Sequence, residues 1–253
     1  MKIITGDNHS KSYNKIMKET DTTEIKGTPQ GKSIIKIIGV GGGGGNAVNY
    51  MFREGIHDVS FALCNTDCFA LNESPIPVCI QLRPFRHPKW GQQAAEESES
   101  EIRAMFNDGT KLSLIIACMG GETGIGAGPV IARISKEIGI LTIGIVTIPF
   151  EFEGSRKIVQ AMEDINEMAK HVDSLIVINN EHLREIYPEM SVSEAFEKAD
   201  ETIYMAAKGI AEVITKHGFV NIEYNDVKTI FKDSGITLWG VDYGDGKRAV
   251  KKT

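Results

Sequence analysis

Residues 33–40, SIIKIIGV, are apolar at almost every position and run straight into five glycines, Gly41–Gly45. A strand that is apolar on both sides must be covered on both, and a glycine exit lets the backbone turn sharply into a following helix. The same grammar recurs along the chain. Segments 59–65 (VSFALCN), 112–118 (LSLIIAC), 141–148 (LTIGIVTI) and 174–179 (SLIVIN) read as buried strands, with a short one at 77–82. Between them the spacing predicts helices from Asn46 to Glu54, from Gln93 to Asn107, through Glu137, and from Ser155 to His171. A long helix follows from Thr202 to His217, marked by Ile203, Ala206, Ala207, Ile210, Ala211, Val213 and Ile214. Apolar strands alternating with helices specify an α/β class: a doubly wound, mostly parallel sheet of Rossmann-like form. Ligands of such sheets bind at the C-terminal strand ends.

No repeat or low-complexity linker divides the chain, so one ordered domain is expected over 33–235. Residues 1–32 read as a flexible polar arm and 236–253 as a polar tail ending in KRAVKKT. The net charge of −6 argues against a nucleic-acid partner. Cys64, Cys68, Cys79 and Cys118 form no CxxC pair, which favours free thiols, with Cys64 and Cys118 in the core, over a metal site. No apolar run approaches the ~20 residues that span a bilayer, and the N-terminus has no apolar leader core. A cytoplasmic protein with no direct membrane insertion is the expectation.

Two glycine clusters carry the chemistry. The first, GVGGGGGN (39–46), follows a strand and precedes a helix, where free backbone N–H groups meet phosphate charge. Gly39, Gly41 and Gly44 also satisfy GxGxxG, and Asp67 follows the second strand. Taken alone, this cluster suits a dinucleotide-dependent oxidoreductase as well as any other phosphate binder. The second, GGETGIGAGP (120–129), again joins a strand to a helix. Two such loops at neighbouring strand ends can surround one phosphate chain, and GxxxxGK[ST] is absent, so this is not a Walker loop.

GGETGIGAGP resembles the GGGTGTG or GGGTGSG phosphate loop of the tubulin/FtsZ family. The resemblance extends, in family order, through IIKIIGVGGGGGNAVN, CNTD, QAAEES, VTIPFEFEG, LIVINN and VNIEYNDVKT. It implies a GTP-binding domain, with GTP or GDP as ligand and Mg2+ accompanying GTP. Gly42, Gly43 and Asn46 would form the first phosphate loop; Gly120, Gly121, Thr123, Gly124 and Gly126 would form the second. Thr147 would lie beside the nucleotide, Glu153 would hold the ribose, and Lys157 would contact phosphate or sugar. Asn180 and Asp200 would read the guanine edge, with Phe196 packing on the base. Catalysis would come from a neighbouring subunit, whose acidic loop here contains Asn221, Glu223 and Asp226. The implied partners are copies of the chain or full-length relatives in head-to-tail filaments, and other division proteins, at the division site.

Three departures from the family pattern bear on turnover. Glu122 stands in the second loop where the family has glycine, with Ile125 in place of threonine or serine. LRPFRHPKWGQQ (82–93) replaces a flexible Gly/Ala loop, leaving Arg83, Arg86 and Lys89 as other possible phosphate contacts. The family's second domain is not recognisable after Asp233. Two functions are therefore carried forward. One is a weak or partner-dependent GTPase. The other is a non-catalytic relative that caps or regulates full-length filaments.

Overall fold

The computed structural model describes residues 33–82, 90–215 and 223–237. The arm at 1–32, the basic side chains Arg83, Arg86 and Lys89, Asn221, and the tail beyond Thr237 lie outside the described residues.

Among the described residues, seven strands form one parallel sheet: β1 (Ile35–Val40), β2 (Val59–Asn65), β3 (Val78–Gln81), β4 (Leu112–Cys118), β5 (Leu141–Ile148), β6 (Ser174–Asn179) and β7 (Gly235–Thr237). Their order is β3-β2-β1-β4-β5-β6-β7, so the winding direction reverses between β1 and β4. Helices cover both faces. They are α1 (Gly41–Glu54), α2 (Cys68–Glu73), α3 (Trp90–Glu97), α4 (Glu99–Met105), α5 (Glu122–Glu137), α6 (Ser155–Ala169), α7 (Glu181–Ile186), α8 (Val192–Thr215) and α9 (Tyr224–Phe231). A 3-10 turn spans Glu151–Glu153.

Alternate residues of each strand feed two cores. Ile35, Ile37, Leu112, Leu114 and Ile116 pack with α1 and α8 on one face. Ile38, Val40, Ile115 and Ala117 pack with α3, α5 and α6 on the other. This two-sided burial is why the strands read as unbroken apolar runs. A charged exception among the described strand residues is Lys36, 2% exposed in β1. Its ammonium pairs with Asp108 at 2.6 Å and donates to the Met105 carbonyl, which satisfies the charge at the N-terminal edge of the sheet.

Several boundaries differ from expectation. Helix α1 starts at Gly41, not Asn46, because the glycines themselves form its first turns. A Cβ on Gly44 would lie 2.3 Å from the Ile116 carbonyl oxygen, so α1 rests directly on the backbone of β4. That close approach outweighs the poor helix propensity of glycine. The helix expected over 93–107 is two helices meeting at Ser98. The long helix α8 begins at Val192, ten residues before the expected Thr202. Helices α2, α7 and α9 and strand β7 were not anticipated as elements.

Candidate functional site

A cavity of about 460 Å³ opens at the C-terminal ends of the strands, over the reversal point between β1 and β4. Its lining extends from Val40 at the end of β1 to Asn180 after β6, four adjacent strands, or about 14 Å at ordinary strand spacing.

At the β1–β4 end the wall is backbone. Gly42, Gly43 and Asn46 from α1 and Gly120, Gly121, Thr123 and Gly124 around the start of α5 line it. Val40 and Gly121, the residues before the two helices, make no side-chain capping hydrogen bond. The leading N–H groups of both helices are thus left for a ligand, and the two positive dipole ends converge on one space. Gly120 turns into the second helix at φ +88°, a left-handed conformation that a side chain would strain. The Thr66 and Thr123 hydroxyls, 2.9 Å apart, tie this loop to the end of β2.

The opposite end holds an aromatic cluster and two polar side chains, Asn180 and Asp200. Phe196 on α8 lines the cavity and is held edge-on by Phe150 and Phe152, with ring centroids at 5.5 and 5.9 Å. Asn180 is buried, and its Oδ1 lines up with no hydrogen-bond partner. Asp200 on α8 faces the same space, and burial pushes its carboxyl up to about 6, against a smaller opposing pull from Arg53. A buried acceptor without a donor, beside a desolvated carboxylate, suits a ligand edge that presents N–H donors. Guanine N1–H and N2–H₂ are such an edge.

Between the two ends lie Thr147, Glu153 and Lys157. Glu153 Oε1 accepts the Phe150 N–H at 3.0 Å, and Oε2 accepts from Lys157 Nζ at 3.3 Å. The lysine is thus poised at the mouth on a partly exposed ion pair.

Every cofactor residue expected from sequence lines this cavity except Gly126. A Cβ there would meet the Gln92 nitrogen at 2.3 Å, so Gly126 serves the packing of α5 on α3. Cys118 also departs from expectation. It is half-buried in the cavity floor against Gly43, not sealed in the core, and burial pushes its thiol up to about 11. It is therefore no nucleophile at neutral pH. Asp67, the acid that matched the dinucleotide spacing, caps α2 through the Phe69 and Ala70 N–H groups at 2.9 and 3.4 Å. Met119, Pro149, Ala199 and Ile203 line the cavity without having been foreseen. Apolar side chains like these carry no chemical signature that would have marked them as cavity lining.

Glu223 and Asp226 lie elsewhere. They sit at the start of α9, where the Asp226 carboxylate accepts the Glu223 N–H at 2.9 Å. The Tyr224 hydroxyl donates to the Lys111 carbonyl at 2.9 Å, at the beginning of β4. The cavity is at the other end of that seven-residue strand, roughly 20 Å away. Among the described residues, no three His, Cys, Asp or Glu side chains group as a metal site. Nor is any described helix long and apolar enough to cross a membrane.

Fold and cavity together define a doubly wound α/β domain with two glycine loops at its strand ends. Residues 34–188 match the tubulin/FtsZ family, GTPase domain, and the chain belongs to that family. It is 52% identical over 222 residues to a cell division protein FtsZ from Porphyromonas gingivalis, covering 84% of this chain and 49% of the relative. Two solved FtsZ structures from M. jannaschii are each 35% identical. One, with TM-score 0.79, covers 96% of this chain and 72% of that chain. The other, described as an empty dimer, has TM-score 0.75 and covers 91% and 66%. The chain spans about half the length of the curated Porphyromonas relative.

Proposed function

We propose that the cavity binds GTP and GDP, and that the chain acts in the cell-division filament system as a GTPase completed by a neighbouring subunit. The observation that carries this reading is the convergence of two uncapped helix N-termini on one cavity. Its far wall holds the partnerless Asn180 oxygen and Asp200. The loop N–H groups would receive the phosphates, Phe196 the base, and Asp200 the guanine donors. Mg2+ would be held by phosphate oxygens and water, which is its usual habit, and would shield the developing phosphate charge.

Glu223 and Asp226 cannot reach the cavity of their own chain, because they flank the opposite end of β4. Head-to-tail stacking would bring them to a neighbour's phosphate, where carboxylates orient the attacking water. Asp226→Ala is expected to cut turnover at least tenfold with unchanged GTP affinity. Mixing it with a chain altered only in the cavity should restore activity at one kind of interface, read as phosphate release. Parallel loss of binding and turnover would reject the assignment.

A second reading is favoured by Glu122, which opens α5 where the resemblance has glycine. On this reading the chain binds nucleotide poorly and regulates full-length filaments. Calorimetric titration of nucleotide-free protein with GTP, GDP and ATP in Mg2+ separates the two. Micromolar GTP binding with ATP excluded supports the GTPase. A folded sample that binds no guanine nucleotide leaves only the regulator.

A further inference from the structure

Asp164 on α6 is 5% exposed. Its Oδ1 accepts from Gln160 Nε2, one turn back, at 3.0 Å, while Oδ2 has no hydrogen-bond partner. The Gly120 N–H also approaches this carboxylate closely enough to favour its charged form. Gly120 is the φ +88° residue that begins the second glycine loop and lines the cavity. It rests on α6 itself, since a Cβ on it would lie 3.5 Å from the Lys157 Cβ and carbonyl oxygen. Helix α6 is thus the floor of the second loop, and Asp164 is the buried carboxylate on that helix.

We propose that Asp164 is a positioning residue for the second glycine loop, and that it takes up a solvent proton when phosphate occupies that loop. The proposal rests on reading the cavity as a nucleotide site. While the cavity is free, the ionised carboxylate is favoured by the Gly120 N–H and offers negative charge beneath the second loop. A bound phosphate chain brings charge of the same sign to the other side of that peptide. Protonation of the partnerless Oδ2 removes the conflict, and the proton returns to solvent when the nucleotide leaves.

Burial pushes the Asp164 carboxyl up, Gln160 and Gly120 oppose it, and Glu163, its neighbour on α6, adds to the upward push. Lys157, two turns toward the start of α6, is engaged by Glu153 at 3.3 Å. Glu122 occupies the first turn of α5, and Asp200 faces the cavity from α8.

The test titrates wild type, Asp164→Asn and Asp164→Ala with GTP, GDP and guanosine at pH 7.5, in two buffers of different ionisation enthalpy. Asparagine keeps an acceptor for Gly120 without the charge. It should bind GTP roughly tenfold tighter than wild type, the scale of one partly shielded charge within ~10 Å of a phosphate. Guanosine affinity should not change. In a pH series between 5.5 and 7.5, wild type should take up more protons per GTP bound than Asp164→Asn. Alanine, which lacks the acceptor, should bind GTP more weakly than asparagine. If alanine does not fold, wild type and asparagine decide alone. Equal GTP affinity and equal proton counts in those two would overturn the proposal, as would an equal change for guanosine. Wild type that binds no guanine nucleotide would instead overturn the nucleotide reading, and this proposal with it.

Discussion

Gly41–Gly45 and Gly120–Gly126 both carry the chain from a parallel strand into a helix, yet their glycines answer to different neighbours. In the first loop, Gly44 is pressed on the Ile116 carbonyl of β4 and Gly43 on the neutral thiol of Cys118. In the second, Gly120 makes a left-handed turn over α6, and Gly126 admits α3. Charge separates them further. Only the second loop contains an acid, Glu122, and a buried acid, Asp164, lies on the helix beneath it. Both loops open on a left-handed glycine, Gly41 at φ +72° and Gly120 at φ +88°, so the first is set apart by its packing on the sheet and the second by its charge. Similar glycine strings can therefore fail in different ways: the first by unfolding, the second by losing its response to phosphate.

The sharpest way to break this contrast is inside the first loop. Gly44→Ala places a methyl 2.3 Å from the Ile116 oxygen, where neither backbone can yield cheaply. A loss of ~3 kcal/mol or more is expected in denaturant unfolding. Gly42→Ala meets nothing within 4 Å, so stability should change by less than ~1 kcal/mol, since an alanine in a helix also gains propensity. Its methyl would instead enter the cavity and weaken GTP binding. Equal destabilisation by both changes would refute the view that packing sorts these glycines.

The next effect lies at the other end of the cavity. Asp200→Asn exchanges an acceptor pair for one acceptor and one donor, and should weaken GTP roughly 10²-fold while leaving the weaker ATP binding unchanged. The wild-type carboxyl, pushed up to about 6 by burial, should also make GTP binding pH-dependent. The ionised form accepts the guanine donors, so bound nucleotide lowers this pKa. Affinity is then full above about 6 and falls up to tenfold for each unit below it. Asp200→Asn should lack that component, which separates it from protonation of the nucleotide's own phosphates.

Legibility in the sequence follows the same division. Strands β1, β2, β4, β5 and β6 were readable to within a residue or two because two-sided burial leaves an unbroken apolar run. The cavity residues Asn180, Asp200 and Phe196 were reachable only through the family resemblance, since no local pattern brings α7 and α8 together. Helix α1 was misjudged at its start, because propensity disfavours five glycines and the compensating contact with Ile116 lies some seventy residues away. Asp67 could serve as a ribose acid or a helix cap from spacing alone, and only its hydrogen bonds to Phe69 and Ala70 decide. Asp164 gave no signal at all. On an amphipathic helix it reads as one more surface acid, and its burial depends on α6 lying against the second loop.

Glu122→Gly sharpens the comparison most gently, because it restores in the second loop the uncharged character of the first. Two opposing effects attend the change. A unit charge near phosphate oxygens repels them, so its removal should tighten GTP binding. An acid in the first turn of a helix is also favoured by the dipole by 0.3–1 kcal/mol, roughly, and glycine costs about the same again in helix propensity. The variant should therefore bind GTP roughly three- to tenfold tighter while losing about 1 kcal/mol in denaturant unfolding. Both shifts should be additive with those of Gly42→Ala if the loops act independently, because the two substitutions lie on separate helices. A double variant whose GTP affinity departs from the sum would mean that the loops respond to phosphate as one unit, with the close approach of Gly41, whose Cβ would lie 2.9 Å from the Gly124 nitrogen, as the direct physical link between them.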